Sequence, residues 1–103
     1  MRIVVYAPNL MDQSRIRAQF TDVSFVSSPV ELKSSQADVI MIDLSDDSVL
    51  DVLPDLAEKN TIGFGSHVDV QRMQRAVNEG CRTAVPRSRF FARMTEIVNE
   101  ITK

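Results

Sequence analysis

The sequence predicts an α/β domain built on a five-stranded parallel sheet, doubly wound, with strand order 2-1-3-4-5. Three observations lead there. Short β-branched runs alternate with stretches of helical periodicity five times along the 103 residues. The most apolar run, Ala37 to Leu44, lacks polar alternation, as a strand buried on both faces does. Right-handed crossovers then leave 2-1-3-4-5 as the compact order.

Taken in order, Arg2 to Tyr6 reads as the first strand, closed by Ala7-Pro8. Asn9 caps a first helix running to about Phe20, with Asp12 three residues on. Val23 to Val26 is the second strand. Ser28, Pro29 and Glu31 form a capping box with proline at the first helical position, so a short helix follows. Ala37 to Leu44 is the third strand. Residues 45–60 are ambiguous, because Ser48 and Asp51 resemble a capping box while Pro54 breaks or restarts any helix. Thr61 to Phe64 is the fourth strand. The fourth helix begins near Val68 or Asp69, turns Val70, Met73 and Val77 to one face and ends at Gly80. Thr83 to Val85 is the fifth strand. The last helix runs from about Arg89 to Ile101, with Phe91, Met94, Ile97, Val98 and Ile101 at core spacing.

Length and composition restrict the function. A chain of 103 residues allows one compact domain, residues 1–103, and 44% hydrophobic content excludes wholesale disorder. No apolar run approaches the roughly 18–20 residues of a membrane span, and the apolar run before Pro8 is too short for a secretory signal. One cysteine, Cys81, makes no internal disulfide, and no Cys/His cluster spells a metal site. A net charge of −2 argues against a generic nucleic-acid binder. A soluble, cytoplasmic domain without a membrane or nucleic-acid role is expected.

Two segments, Ile40-Met41-Ile42-Asp43-Leu44 and Ala76-Val77-Asn78-Glu79-Gly80-Cys81, resemble a response-regulator receiver domain, and the resemblance extends over essentially the whole chain. It implies the flavodoxin-like, receiver-like fold, with Asp43 where a receiver carries its phospho-accepting aspartate. A receiver also needs an acidic pair just after the first strand, to hold magnesium with that aspartate. The matching positions are Ala7, Pro8 and Asn9, none a carboxylate, and Asp12 lies a turn further on. The family's Ser or Thr at the end of the fourth strand falls on Gly65, with Ser66 adjacent. Its lysine after the fifth strand falls on Arg87, followed by Ser88 instead of proline. The chain therefore resembles an atypical, or pseudo-, receiver. It is also similar to stand-alone bacterial receiver-like proteins through Gly63 to Asp69 and Pro86 to Phe90, a likeness that bears on fold alone.

In doubly wound folds chemistry gathers at the carboxyl ends of the strands. Asp43 there is either a phospho-acceptor or a structural aspartate salt-bridged to Arg87. His67, the only histidine, reads as a proton carrier or ligand, or simply as a turn residue after Gly63 and Gly65. Ser66 and Asp69 read as a capping box. Arg15, Ser66, His67, Arg87, Ser88 and Arg89 are candidates for an anion site with helix N-termini, unless Arg15 turns aside to Asp12 or Gln19. Ser14 and Ser88 lack a base partner and no glycine-rich phosphate loop occurs, so no catalytic residue is expected. Cys81 reads as a buried, inert thiol.

Three functions follow. The first is a non-enzymatic signalling domain that needs no cofactor. It would contact a protein partner, or form a homodimer, through helix 4, strand 5 and helix 5, the usual receiver output surface. The matching residues are Asp69–Asn78, Thr83–Val85 and Arg89–Asn99, with Arg72, Arg75 and Arg93 as polar contacts. The second is a phosphorelay receiver with Asp43 as acceptor and magnesium as cofactor. The third is a small anion- or nucleotide-binding sensor at the strand edge. Charge is unevenly spread: Asp43, Asp46, Asp47, Asp51, Asp55 and Glu58 face one lysine in residues 43–59. Arg72, Arg75, Arg82, Arg87, Arg89 and Arg93 face Glu79 alone in residues 70–93. That pattern suggests a polarised interaction domain.

Overall fold

The computed structural model describes all of residues 1–103. Five strands, β1 (Ile3–Tyr6), β2 (Val23–Phe25), β3 (Val39–Asp43), β4 (Thr61–Gly65) and β5 (Thr83–Pro86), form one sheet in the order β2-β1-β3-β4-β5. Every pairing is parallel, so the predicted topology is the observed one. The helices are α1 (Leu10–Gln19), α2 (Ser48–Val52), α3 (Val70–Glu79), α4 (Arg87–Ala92) and α5 (Met94–Ile101).

Strand pleating divides the core in two. Ile40 and Ile42 of β3 join Val4, Tyr6 and Leu44 beneath α2 and α3. Val39 and Met41 turn the other way and join Ile3, Val5, Ile62, Phe64 and Phe90 beneath α1, α4 and α5. All five residues of β3 are buried, as its unbroken apolar run predicted.

Local chemistry sets most element boundaries. Asn9 Oδ1 accepts from the backbone N–H groups of Met11 and Asp12 at 2.8 and 3.2 Å and starts α1. The predicted box at Ser28 and Glu31 is present, but the turn it opens, Pro29–Ser34, is a 3₁₀ helix. The ambiguous stretch resolves into five residues of α2 and a 3₁₀ turn at Leu53–Leu56, restarted at Pro54. Gly80 ends α3 with φ +150°, and a Cβ there would stand 2.1 Å from the Leu53 carbonyl oxygen. Backbone approach thus reserves this position for glycine.

Two expectations about helix faces are corrected. Met73 of α3 is buried, but Val70 and Val77 are 62% and 45% exposed, because Ala76 takes the other inward position. The last helix is also two segments. It starts at Arg87, not Arg89, and breaks at Arg93, whose backbone (φ −136°, ψ 31°) leaves the helical region. Phe90, rather than Phe91, is the fully buried ring: it stacks on Phe64 at 4.4 Å between centroids, while Phe91 meets both edge-on.

Gly80→Ala should lower stability by about 1–3 kcal/mol in denaturant melts, from forbidden backbone and the clash with Leu53. Thr61 is the contrary case, since its buried hydroxyl has no hydrogen-bond partner. Thr61→Val should leave stability unchanged or raise it by up to about 1 kcal/mol in the same assay.

Candidate functional site

At the carboxyl edge of the sheet three elements converge on one guanidinium. The Asn9 cap fixes the first turn of α1 so that Asp12 faces inward, only 3% exposed. Gln13 braces the same loop, its Nε2 donating to the Ala7 carbonyl at 2.8 Å. β3 delivers Asp43, 5% exposed, whose Oδ1 accepts from the Ser45 N–H at 3.0 Å and the Ser45 hydroxyl at 2.7 Å. Arg87, the first residue of α4, reaches between them. Its Nη2 donates to Asp12 Oδ1 and Oδ2 at 2.6 and 2.8 Å, and its Nη1 lies 3.8 Å from Asp43 Oδ2.

The guanidinium also stands 5.5 Å from the ring centres of Phe64 and Phe91. Hydrogen bonding to Asp12 raises the Arg87 pKa above its ordinary value against the opposing effect of burial. Two buried carboxylates are thus compensated by one cation whose side chain is itself 38% exposed to solvent. The salt bridge to Asp43 read from the sequence is present but secondary. The dominant partner is Asp12, 75 positions away in sequence.

Tyr6 and Asp46 add a second link that the sequence did not signal. The Tyr6 hydroxyl donates to Asp46 Oδ2 at 2.9 Å and joins β1 to the loop after β3. Burial, then the Asp46 hydrogen bond, raises the Tyr6 pKa above 10.0. The Asp46 carboxylate is held below its usual range by the Ser48 backbone N–H, then by the Ser48 and Tyr6 hydroxyls.

The other candidate residues do not converge. Arg15 lies 5.1 Å over the Phe91 ring rather than beside Asp12 or Gln19. His67 and Ser66 are exposed in the turn after β4, where Ser66 Oγ accepts weakly from Val68. Asp69, not Ser66, caps α3 by accepting from the Arg72 N–H. Ser88 follows Arg87 in α4, and Arg89 turns away into a groove between β5 and α5. Among the candidate anion ligands only Arg87 occupies the cleft, and carboxylates already hold it.

The basic residues assigned to the α3–β5 face are redistributed as well. Arg72 is clamped by Asp47 at 2.6 Å, by Asp69 at 3.0 Å and by the Leu44 carbonyl at 3.2 Å. Arg75 pairs with Glu79 and borders the same acidic loop, while Arg93 pairs with Glu96 beside α1. Cations that do line β5 are Arg82, Arg89 and Lys103. Cys81 is buried, and burial pushes its thiol up to about 12, so it stays protonated.

The donor set does not fit a divalent ion. Magnesium requires several oxygens in near-octahedral array. Here Ala7 and Pro8 offer no carboxylate, the Asn9 oxygen is used by the helix cap, and Asp12 and Asp43 face a guanidinium. Nowhere do three His, Cys, Asp or Glu side chains converge in ligating geometry.

Comparison with known proteins bears on the fold. No protein-family model matches the chain, and no curated protein matches its sequence. Among solved structures, a response regulator from Hahella chejuensis superimposes with TM-score 0.70 at 15% identity, over 98% of this chain and 89% of that one. The phosphorylated cyanobacterial phytochrome response regulator RcpA does so with TM-score 0.68 at 14% identity, over 98% and 88%. The chain shares the flavodoxin-like fold of these two response regulators. No helix is long and apolar enough to cross a membrane.

Arg87→Met strands two buried carboxylates and should cost about 2–3 kcal/mol in denaturant unfolding, below the fully buried case because one flank is wet. Combined with Asp12→Asn the loss should be less than additive. Tyr6 is the only tyrosine and the chain has no tryptophan, so ultraviolet absorbance titrates it alone. Its midpoint should lie above 10.0 and move part of the way back in Asp46→Asn, burial being the larger cause. The folded state binds the phenolic proton more tightly. Its stabilising effect is therefore intact below the unfolded pKa and falls away as pH rises through the folded one.

Proposed function

We propose that this chain is an atypical, cytoplasmic receiver-like signalling domain that is not phosphorylated and acts, without enzymatic activity or cofactor, through protein–protein contacts. One observation carries the reading: Arg87 Nη2 donates to both carboxylate oxygens of Asp12, and Nη1 lies 3.8 Å from Asp43. Phosphoryl transfer to an aspartate needs a cation that neutralises incoming phosphoryl oxygens while leaving the acceptor carboxylate free to attack. Arg87 supplies a cation, but its Nη2 is directed at Asp12 and its Nη1 lies toward Asp43 itself. One oxygen of Asp43 is also engaged by Ser45. Arg87 being so engaged likewise counts against an anion or nucleotide site at this edge. Contacts with a protein partner are the remaining output, with the α3–β5–α5 face as the surface used.

Incubation with acetyl phosphate or beryllofluoride and magnesium, followed by intact-mass analysis and thermal melts, tests this. Neither adduct nor melting shift is expected. A phosphate adduct on the wild type that disappears in Asp43→Asn would establish the phosphorelay reading instead.

A further inference from the structure

Of the two free edges of the sheet, the β5 edge carries more specific information about the partner. β5 pairs only with β4, and the Arg82 N–H donates to the Thr61 carbonyl at 2.8 Å. Alternation along a parallel ladder then turns the peptide groups of Arg82 and Ala84 toward β4 and those of Thr83 and Val85 outward. Pro86 lacks an N–H, but the missing donor belongs to the β4 side, so the outward pattern is undisturbed.

Grooves of opposite character flank this edge. On the α3 side, a groove of about 400 Å³ is lined by Val70, Met73, Val77, Ala84 and Pro86, with the amides of Gln74 and Asn78 alongside. On the α5 side, one of about 540 Å³ carries Arg82, Arg89 and Lys103 around Ile97 and Ile101, with Glu100 as its only acid. None of the three cations takes part in an ion pair within the chain.

We infer that β5 accepts an extended segment of a protein partner as a sixth strand, with apolar residues alternating with acidic ones. Successive side chains of an added strand point to opposite faces of the sheet. One set therefore enters the apolar groove beside α3, and the other meets the cations beside α5. Backbone bonds to Thr83 and Val85 set the register. Charge selects this occupant over a second copy of the chain: a two-fold β5–β5 pairing would bring six cations together against two copies of Glu100. The inference rests on the reading of the domain as a contact module and names its partner's chemistry.

A labelled peptide alternating glutamate and valine tests it by fluorescence anisotropy. Saturable binding is expected, together with slowed amide exchange at Thr83 and Val85. Arg82→Glu with Arg89→Glu should weaken binding about tenfold or more, a change of about 1.4 kcal/mol, while Arg75→Glu should leave it unchanged. N-methylation of those peptide nitrogens that face β5 should abolish binding to the unaltered protein, a readout independent of any variant's folding. Equal binding by a scrambled peptide, indifference to N-methylation, or self-association through β5 in sedimentation would each overturn the proposal. Such a failure removes the edge as docking site without touching the role of Arg87, whose own test is phosphate uptake at Asp43.

Discussion

Two carboxylates, Asp12 and Asp43, lie in the same nearly dry cleft, and a single guanidinium keeps them there. Burying either without a counter-charge would cost several kcal/mol. Arg87 meets that requirement while joining the start of α1, the end of β3 and the start of α4. Its position follows from the aromatic packing beneath it. Phe90 stacks on Phe64 and Phe91 closes edge-on, which fixes the first turn of α4 and so the base of the Arg87 side chain. Core packing and cleft electrostatics are therefore one arrangement. The cation that makes the cleft stable is also what makes it unsuited to a metal ion.

A similar economy governs the outer charges. The sequence separates an acidic third repeat from a basic fourth and fifth, which suggested a polarised interaction domain. Folding brings the two together instead. Arg72 spans from α3 to Asp47 and the Leu44 carbonyl, so part of the polarity is neutralised inside the molecule. What survives is a basic strip beside β5, from Arg82, Arg89 and Lys103, next to an apolar groove that Val70 and Val77 leave open. Unmatched charge and unmatched apolar surface meet at the one sheet edge flanked by grooves on both faces.

Local signals explain why so much of the fold was legible. The unbroken run in β3, the Asn9 cap, the Ser28–Glu31 box and the stop at Gly80 each act over four or five residues, and each is observed. Helix faces were less legible where small residues compete for the core. Ala76 buries as readily as Val77 once the helix is rotated by a third of a turn, and periodicity alone does not choose between them. The break at Arg93 was likewise hidden, since core spacing continues from Phe90 through Met94 and Ile97 across it.

For the site, the sequence by itself determined its inventory: an aspartate closing β3, no acidic pair at Ala7 to Asn9, an arginine after β5. Those facts follow from strand order and residue identity, because the parallel topology delivers all strand ends to one edge. Only the tertiary structure decided which charges pair. Asp12 and Arg87 are 75 residues apart, and the choice of Asp12 over Asp43 as principal partner depends on distances of an ångström. The same holds for Arg72 and Arg75 of α3 and for Arg93 between α4 and α5, whose direction was set by which carboxylate folding placed within reach. Identity and order are written along the chain, whereas the pairing of buried charge is a property of three-dimensional proximity.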